Sequence, residues 1–229
     1  MKALQTGLLI TAFLTINLTL KAQNDFINWV EVKGGSFSIG EDQLSINEFF
    51  MSATEVTFDQ YDAFCKVTGK ENPDDKGWGR GNRPVMHVSW YDAIEFCRWL
   101  SQETGTKVRL PSQDEWLFAA LGGNKSKGYL YSGSDNWQEV SWFERNSEDK
   151  TQPVGTKNPN ELGLYDMSGN LWEWCADWSE NDGKNGREIR CVRGNSFDNH
   201  PSDPRKSTVC IEADARHYNI GFRVVMMKQ

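Results

Sequence analysis

Apolar residues recur at helical spacing in three stretches of the chain. After Ser89, Ala93, Phe96, Cys97 and Leu100 fall on one face of a helix that Gly105 ends, with Asp92 three places after the Ser in a capping-box position. Ser112 and Glu115 open a second helix through Trp116, Ala119 and Ala120, which stops at Gly122-Gly123. Thr57 and Gln60 open a third, with Tyr61, Phe64 and Cys65 as its stripe and Gly69 at its end. Alternation of two marks short strands instead: Val30 and Val32, then Phe37 and Ile39 after Gly34-Gly35, and a closing run from Gly221 to Met226. Between Gly122 and Arg190 little periodicity survives among Gly, Asn, Asp and Ser turns punctuated by Trp137, Trp142, Trp172, Trp174 and Trp178. The pattern predicts an α+β fold with a long irregular region.

The first residues follow a different rule. Lys2, an apolar run from Gly7 to Leu20 and then Lys21-Ala22-Gln23 form the n-region, h-region and small-residue end of a secretory leader. The run is shorter than the roughly 20 apolar residues of a membrane span. We therefore expect a signal peptide over 1–22, cleavage after Ala22, one domain over 23–229, and a secreted or periplasmic product with no integral membrane segment. Removing Lys2 and Lys21 takes the formal charge from −7 to −9, a poor balance for nucleic acid. Ten Trp and twenty Gly suit a loop-rich fold in which indoles fill irregular gaps. Five cysteines, Cys65, Cys97, Cys175, Cys191 and Cys210, allow at most two disulfides in an exported chain. Cys65 and Cys97 fall on apolar helix faces, as buried thiols or a bridge between helices.

Several motifs stand in one order: Gly34-Gly35-Ser36-Phe37, Glu55-Val56-Thr57, Pro84 to Trp90, Arg109-Leu110-Pro111-Ser112 and Pro153-Val154-Gly155. They continue with Gly163-Leu164-Tyr165-Asp166-Met167-Ser168-Gly169-Asn170-Leu171-Trp172-Glu173-Trp174-Cys175, Arg193 to Phe197, and Gly221-Phe222-Arg223. In these the chain resembles the formylglycine-generating enzyme or sulfatase-modifying factor family. The resemblance implies a C-type-lectin-like fold with little regular secondary structure. It also implies a calcium ion held by the side chains of Asp166 and Glu173 and the carbonyls of Gly169 and Leu171, a set of hard oxygens on a glycine-containing turn. A metal-free turn in which the two carboxylates cap amides is the alternative. Catalytic members hold copper with two cysteines just after a Gly-Gly-Ser-aromatic motif whose counterpart here is Arg193-Gly194-Asn195-Ser196-Phe197, because thiolate is a good ligand for Cu(I). Those positions fall here on Asn199 and Pro204, so copper chemistry is not expected.

Iron-dependent relatives need a cluster of His and carboxylate ligands. This chain offers only His87, His200 and His217, with Asp198, Asp203 and Asp214 nearby, and His87 sits in an apolar run as a satisfied structural histidine would. Iron is not expected either. In the resembling fold the segment after Arg193 lines the groove that holds substrate, which nominates Phe197, Asp198, Asn199, His200, His217 and Tyr218 as ligand-binding residues. The expectation is an exported, calcium-stabilised, non-catalytic module that binds a peptide, protein or glycan. A special form of it resembles the hypervariable receptors on this fold, which end in a strand like Ile220 to Val225. The alternative is an oxidoreductase of the formylglycine-generating or non-heme iron type.

Overall fold

The computed structural model describes residues 26–179 and 186–228. The expected leader, residues 1–22, lies outside them. Among the described residues, three sheets and four helices carry the fold. Strands β1 (Trp29–Val32), β4 (Phe49–Ser52), β10 (Val225–Met227) and β5 (Val108–Arg109) form one antiparallel sheet in that order. A hairpin of β2 (Gly35–Ile39) and β3 (Asp42–Ile46) stands beside it. The third sheet runs β8 (Thr208–Glu212), β7 (Ile189–Arg193), β6 (Trp172–Trp178) and β9 (Ile220–Gly221), with β6 and β9 parallel.

Helices α1 (Phe58–Thr68), α2 (Trp90–Thr104) and α3 (Gln113–Ala120) begin at Thr57, Ser89 and Ser112, each with a complete capping box. Each hydroxyl takes the amide three residues on while that residue's side chain returns to the cap amide, so two otherwise unpaired donors are satisfied. Gly69 and Gly105 end α1 and α2 in the left-handed conformation. The fourth helix is a single turn, α4 (Trp137–Val140).

Two buried clusters fill the interior. One gathers Tyr61 and Phe64 of α1, Phe96 and Leu100 of α2, and Phe222; the other packs α3 against Phe49, Met51, Leu164 and Val225. Cys65 and Cys97 are buried thiols rather than a bridge. The closing apolar run differs from the single predicted strand. Ile220–Gly221 belongs to the third sheet and Val225–Met227 to the first, because the chain crosses between sheets at Phe222 to Val224. That crossing puts Arg223 in the interior, with no exposure at all.

Candidate functional site

The signature segment leads into β6 and places Glu173, also fully buried, opposite Arg223. Arg223 Nε donates to Glu173 Oε2 at 2.6 Å and Nη2 to Oε1 at 2.7 Å. The Trp116 indole N–H from α3 adds a third bond to Oε2 at 2.7 Å. The guanidinium also donates to the carbonyls of Tyr165 at 2.9 Å and Ser52 at 3.3 Å, which ties both sheets and the signature turn to one side chain. Asp166 stands at φ +57° and accepts from the Gly155 amide through Oδ2 at 2.8 Å. Its other oxygen is buried without a hydrogen-bond partner, and so are both oxygens of Glu55. Three buried carboxylates therefore share one buried cation. Burial, with the charges of Asp166 and Glu173 adding to it, holds the Glu55 carboxyl well above the usual carboxylate range. Burial likewise pushes Asp166 up to about 6.

In donor chemistry these residues suit a hard cation such as calcium. Asp166 Oδ1 is a hard oxygen with no partner, Glu173 Oε1 takes only one hydrogen bond, and the local excess of negative charge matches a divalent cation. The turn bearing the two carbonyl candidates is fixed by sterics. At Gly169, φ +86°, an added Cβ would stand 2.3 Å from the carbonyl oxygen of Trp142. The metal-free alternative receives part of its pattern: Asp166 caps an amide, but Glu173 faces Trp116 and Arg223 instead.

The six nominated ligand residues divide. Phe197 is buried, 2% exposed, rather than a surface aromatic, because its ring packs edge-on against Trp78 at 5.4 Å. Tyr218 is exposed, 6.1 Å from Phe197 and 6.4 Å from Trp78. Its hydroxyl donates to Asp198 Oδ2 at 3.1 Å, and Asn219 Nδ2 donates to the same oxygen at 3.2 Å. Asn199 turns inward, its Oδ1 accepting from the Ser196 amide at 3.0 Å. His200 is exposed and pairs with Glu144. His217 is exposed as well, and its carbonyl accepts from the His87 amide at 3.0 Å.

Trp78 and Lys76 were not expected at this surface. Asp74 and Asp75 accept from the amides of Lys76 and Gly77 at 2.9 and 3.0 Å, and Lys76, at φ +53°, carries its ammonium 4.9 Å above the Tyr218 ring. The turn-rich run Asp74-Asp75-Lys76-Gly77-Trp78-Gly79 was the available signal. His87 departs from the expected satisfied histidine. It is half-buried at φ +57°, its Nε2 is buried with no partner, and burial lowers its pKa. It lines a 440 Å³ cleft with Tyr61, Asp74, Asp92 and Arg216. Among the described residues no three His, Cys, Asp or Glu side chains are grouped so as to hold a metal ion, so His200 and His217 join no such cluster.

The chain matches the family model of the sulfatase-modifying factor enzyme 1-like domain over residues 17–228. It belongs to that family. The domain is 33% identical to the chaperone protein LppX of Paenibacillus barcinonensis, over 65% of this chain and 71% of that protein. It is also 33% identical to the formylglycine-generating enzyme of Streptomyces coelicolor, over 63% of this chain but only 53% of the enzyme, so it spans about half of that relative. Among solved structures it resembles that of CarF, with a TM-score of 0.77 and 29% identity over 89% of this chain and 99% of the other.

In this sulfatase-modifying-factor domain every thiol is bridged or buried. Asn199, where the resemblance puts the first copper cysteine, holds its own loop together through Ser196. Pro204, at the second position, is buried and starts the short turn Pro204–Lys206. Cys191 and Cys210 form a disulfide between directly opposed residues of β7 and β8. Cys65, Cys97 and Cys175 are buried, and burial raises the pKa of each thiol. None of the five cysteines presents a free thiol at the surface.

Proposed function

We propose that this sulfatase-modifying-factor domain is exported and non-catalytic, and that it binds an extended polypeptide through the surface built by Trp78, Asp198 and Tyr218. The observation that carries this reading is the fate of the copper positions. Asn199 and Pro204 supply no thiolate, and every cysteine of the chain is bridged or buried. Copper exchange at a sulfur pair needs an accessible thiolate, which such an arrangement does not offer. The exposed Tyr218 ring, the half-buried Trp78 and the hydrogen-bonding Asp198 provide instead an aromatic surface with fixed polar groups, as binding sites do. A polypeptide is favoured over a glycan because one relative is named as a chaperone.

Calcium belongs to this reading as a structural ion. Asp166, Glu173 and the carbonyls of Gly169 and Leu171 would hold it, and it would offset the excess of buried negative charge left by Glu55, Asp166 and Glu173 around Arg223. The test is to incubate the purified domain with copper, iron and calcium, measure bound metal by elemental analysis, and probe the same protein on peptide and glycan arrays. About one calcium per chain, no tight copper or iron, and peptide binding weakened by Tyr218→Ala are expected. Tight stoichiometric copper, with conversion of a cysteine peptide to formylglycine detected by mass spectrometry, would overturn the proposal.

A further inference from the structure

Among the described residues, strand β8 is an edge of its sheet, bonded to β7 on one side only. Its register pairs Arg190 with Ile211, Cys191 with Cys210 and Val192 with Val209. In an antiparallel ladder, wide hydrogen-bonded pairs alternate with narrow unbonded ones. The Cα atoms of Cys191 and Cys210 are 4.0 Å apart, the narrow kind. The Ala213 amide donates to Glu188 at 2.8 Å, which puts that pair, and with it Ile211 and Val209, in the bonded class. The backbone groups of Thr208, Cys210 and Glu212 consequently point away from β7. Of these, among the described residues only the Glu212 carbonyl is used within the fold, accepting from Ala215 at 3.0 Å.

Native edges are commonly blunted by Lys, Pro or a bulge. Thr208 to Glu212 contains neither residue, and it exposes Val209 at 45%. Cys210 and Ile211 border a 450 Å³ cleft with Ala215 and His217, and Val209 and Ile211 border a second, 220 Å³ hollow with Trp172, His217 and Asn219. His217 and Asn219 flank Tyr218, so the edge runs on into the surface already assigned to ligand. The ends of the strand differ in charge: Lys206 precedes it and Asp214 follows it, both exposed and in none of the described ion pairs.

We propose that β8 receives an extended polypeptide segment as an additional antiparallel strand. Only another extended chain presents donors and acceptors that alternate at the spacing of these free groups. Its apolar side chains extend the Val209 and Ile211 face, and a basic residue at its N-terminal end lies beside Asp214 with an acidic one at its C-terminal end beside Lys206. The inference rests on the polypeptide-binding reading above and names where the segment lies.

The test uses the mature chain and a labelled peptide, acetyl-Lys-Val-Thr-Val-Thr-Val-Asp-amide, with a version N-methylated at alternate residues. N-methylation removes ladder donors and leaves the side chains in place. We expect the plain peptide to bind and the methylated one to bind at least tenfold more weakly. Peptide should slow hydrogen exchange at the Cys210 and Glu212 amides, while Val209 and Ile211 are protected already. Thr208→Pro, which removes one outward N–H and leaves the β7 ladder, should weaken binding about tenfold. If peptides bind with unchanged exchange at 208–212 and equal affinity after methylation, the edge proposal fails and the polypeptide-binding function stands. Failure of this probe while arrayed peptides bind overturns the edge alone, and silence in both assays overturns both. Slow Cys210 exchange without peptide, together with a dimer in sedimentation that Thr208→Pro abolishes, would make a second copy of the chain the occupant and overturn the proposal.

Discussion

Arg223 and Glu173 form a two-bonded ion pair with no solvent exposure on either side chain, joining the crossing segment between two sheets to the strand of the signature motif. Such a pair is retained only with good geometry and further hydrogen bonds, which Trp116, Tyr165 and Ser52 provide here. Glu173→Gln keeps the shape and removes the charged carboxylate to which the guanidinium is hydrogen-bonded. It should cost about 3–5 kcal/mol, read as a lower urea midpoint at constant m-value. A loss below about 1 kcal/mol would mean that the guanidinium finds another partner.

Asp166 gives a test that separates calcium from folding. In the parent domain calcium should raise the melting temperature, since an ion bound only by the native state adds about 2.7 kcal/mol at 100 times its Kd. Asp166→Asn retains an oxygen for the Gly155 amide but removes the charge. Its melting temperature should stay the same with calcium or chelator, by differential scanning calorimetry. An undiminished calcium response in the variant would move the ion elsewhere.

Bridged and buried sulfur predicts a specific labelling pattern. Iodoacetamide should modify no cysteine of the native oxidised domain and three after denaturation, counted by intact mass. Replacing Cys191 and Cys210 together by Ser releases a loop with a sequence separation of 19 and should cost about 3 kcal/mol. Reductant should then destabilise the parent and leave the double variant unchanged.

The helices were legible because their information is local. Thr57-Gln60, Ser89-Asp92 and Ser112-Glu115 each form the box that their spacing announces. The family frame was equally readable, since its motifs are runs of neighbouring residues. Phe197 was misplaced because loop aromatics give no period from which burial follows, and its partner Trp78 lies over a hundred residues away. The split of the closing strand was hidden for a similar reason: Gly221 to Met226 reads as one apolar run, and only the positions of two different sheets divide it. The orphaned oxygens of Glu55 were beyond reach, because a carboxylate in the Glu-Val-Thr motif carries no sign of how many charges the fold will place beside it.

Asp92 makes the acid limb of stability testable. Burial alone would raise its pKa, but hydrogen bonds from Arg216 and from the Ser89 hydroxyl and amide outweigh it and hold the carboxyl below its usual 3.8. A depressed folded pKa stabilises above the unfolded value and is lost as pH falls through the folded one. The advantage of the parent over Asp92→Asn should therefore be constant near neutrality and shrink below about pH 4. Urea midpoints of both proteins from pH 7 to pH 2.5 check it. Parallel curves throughout would show that the capping box and Arg216 do not depend on that charge.

Tyr218 separates recognition from stability, because its ring is 39% exposed and its loss removes surface rather than core. Tyr218→Ala should lower peptide affinity by about tenfold, ~1.4 kcal/mol, with little change in melting temperature. Asp198→Ala should act in the same direction, since that carboxylate fixes both the Tyr218 hydroxyl and the Asn219 amide. Lys76→Ala has the opposite sign: its ammonium covers the Tyr218 face that a ligand would contact, and removing it should leave affinity unchanged or raise it. Fluorescence anisotropy with one labelled peptide from the array compares all three variants. Equal affinity for the Tyr218 and Asp198 variants and the parent would take the ligand off this surface, whatever the melting curves show.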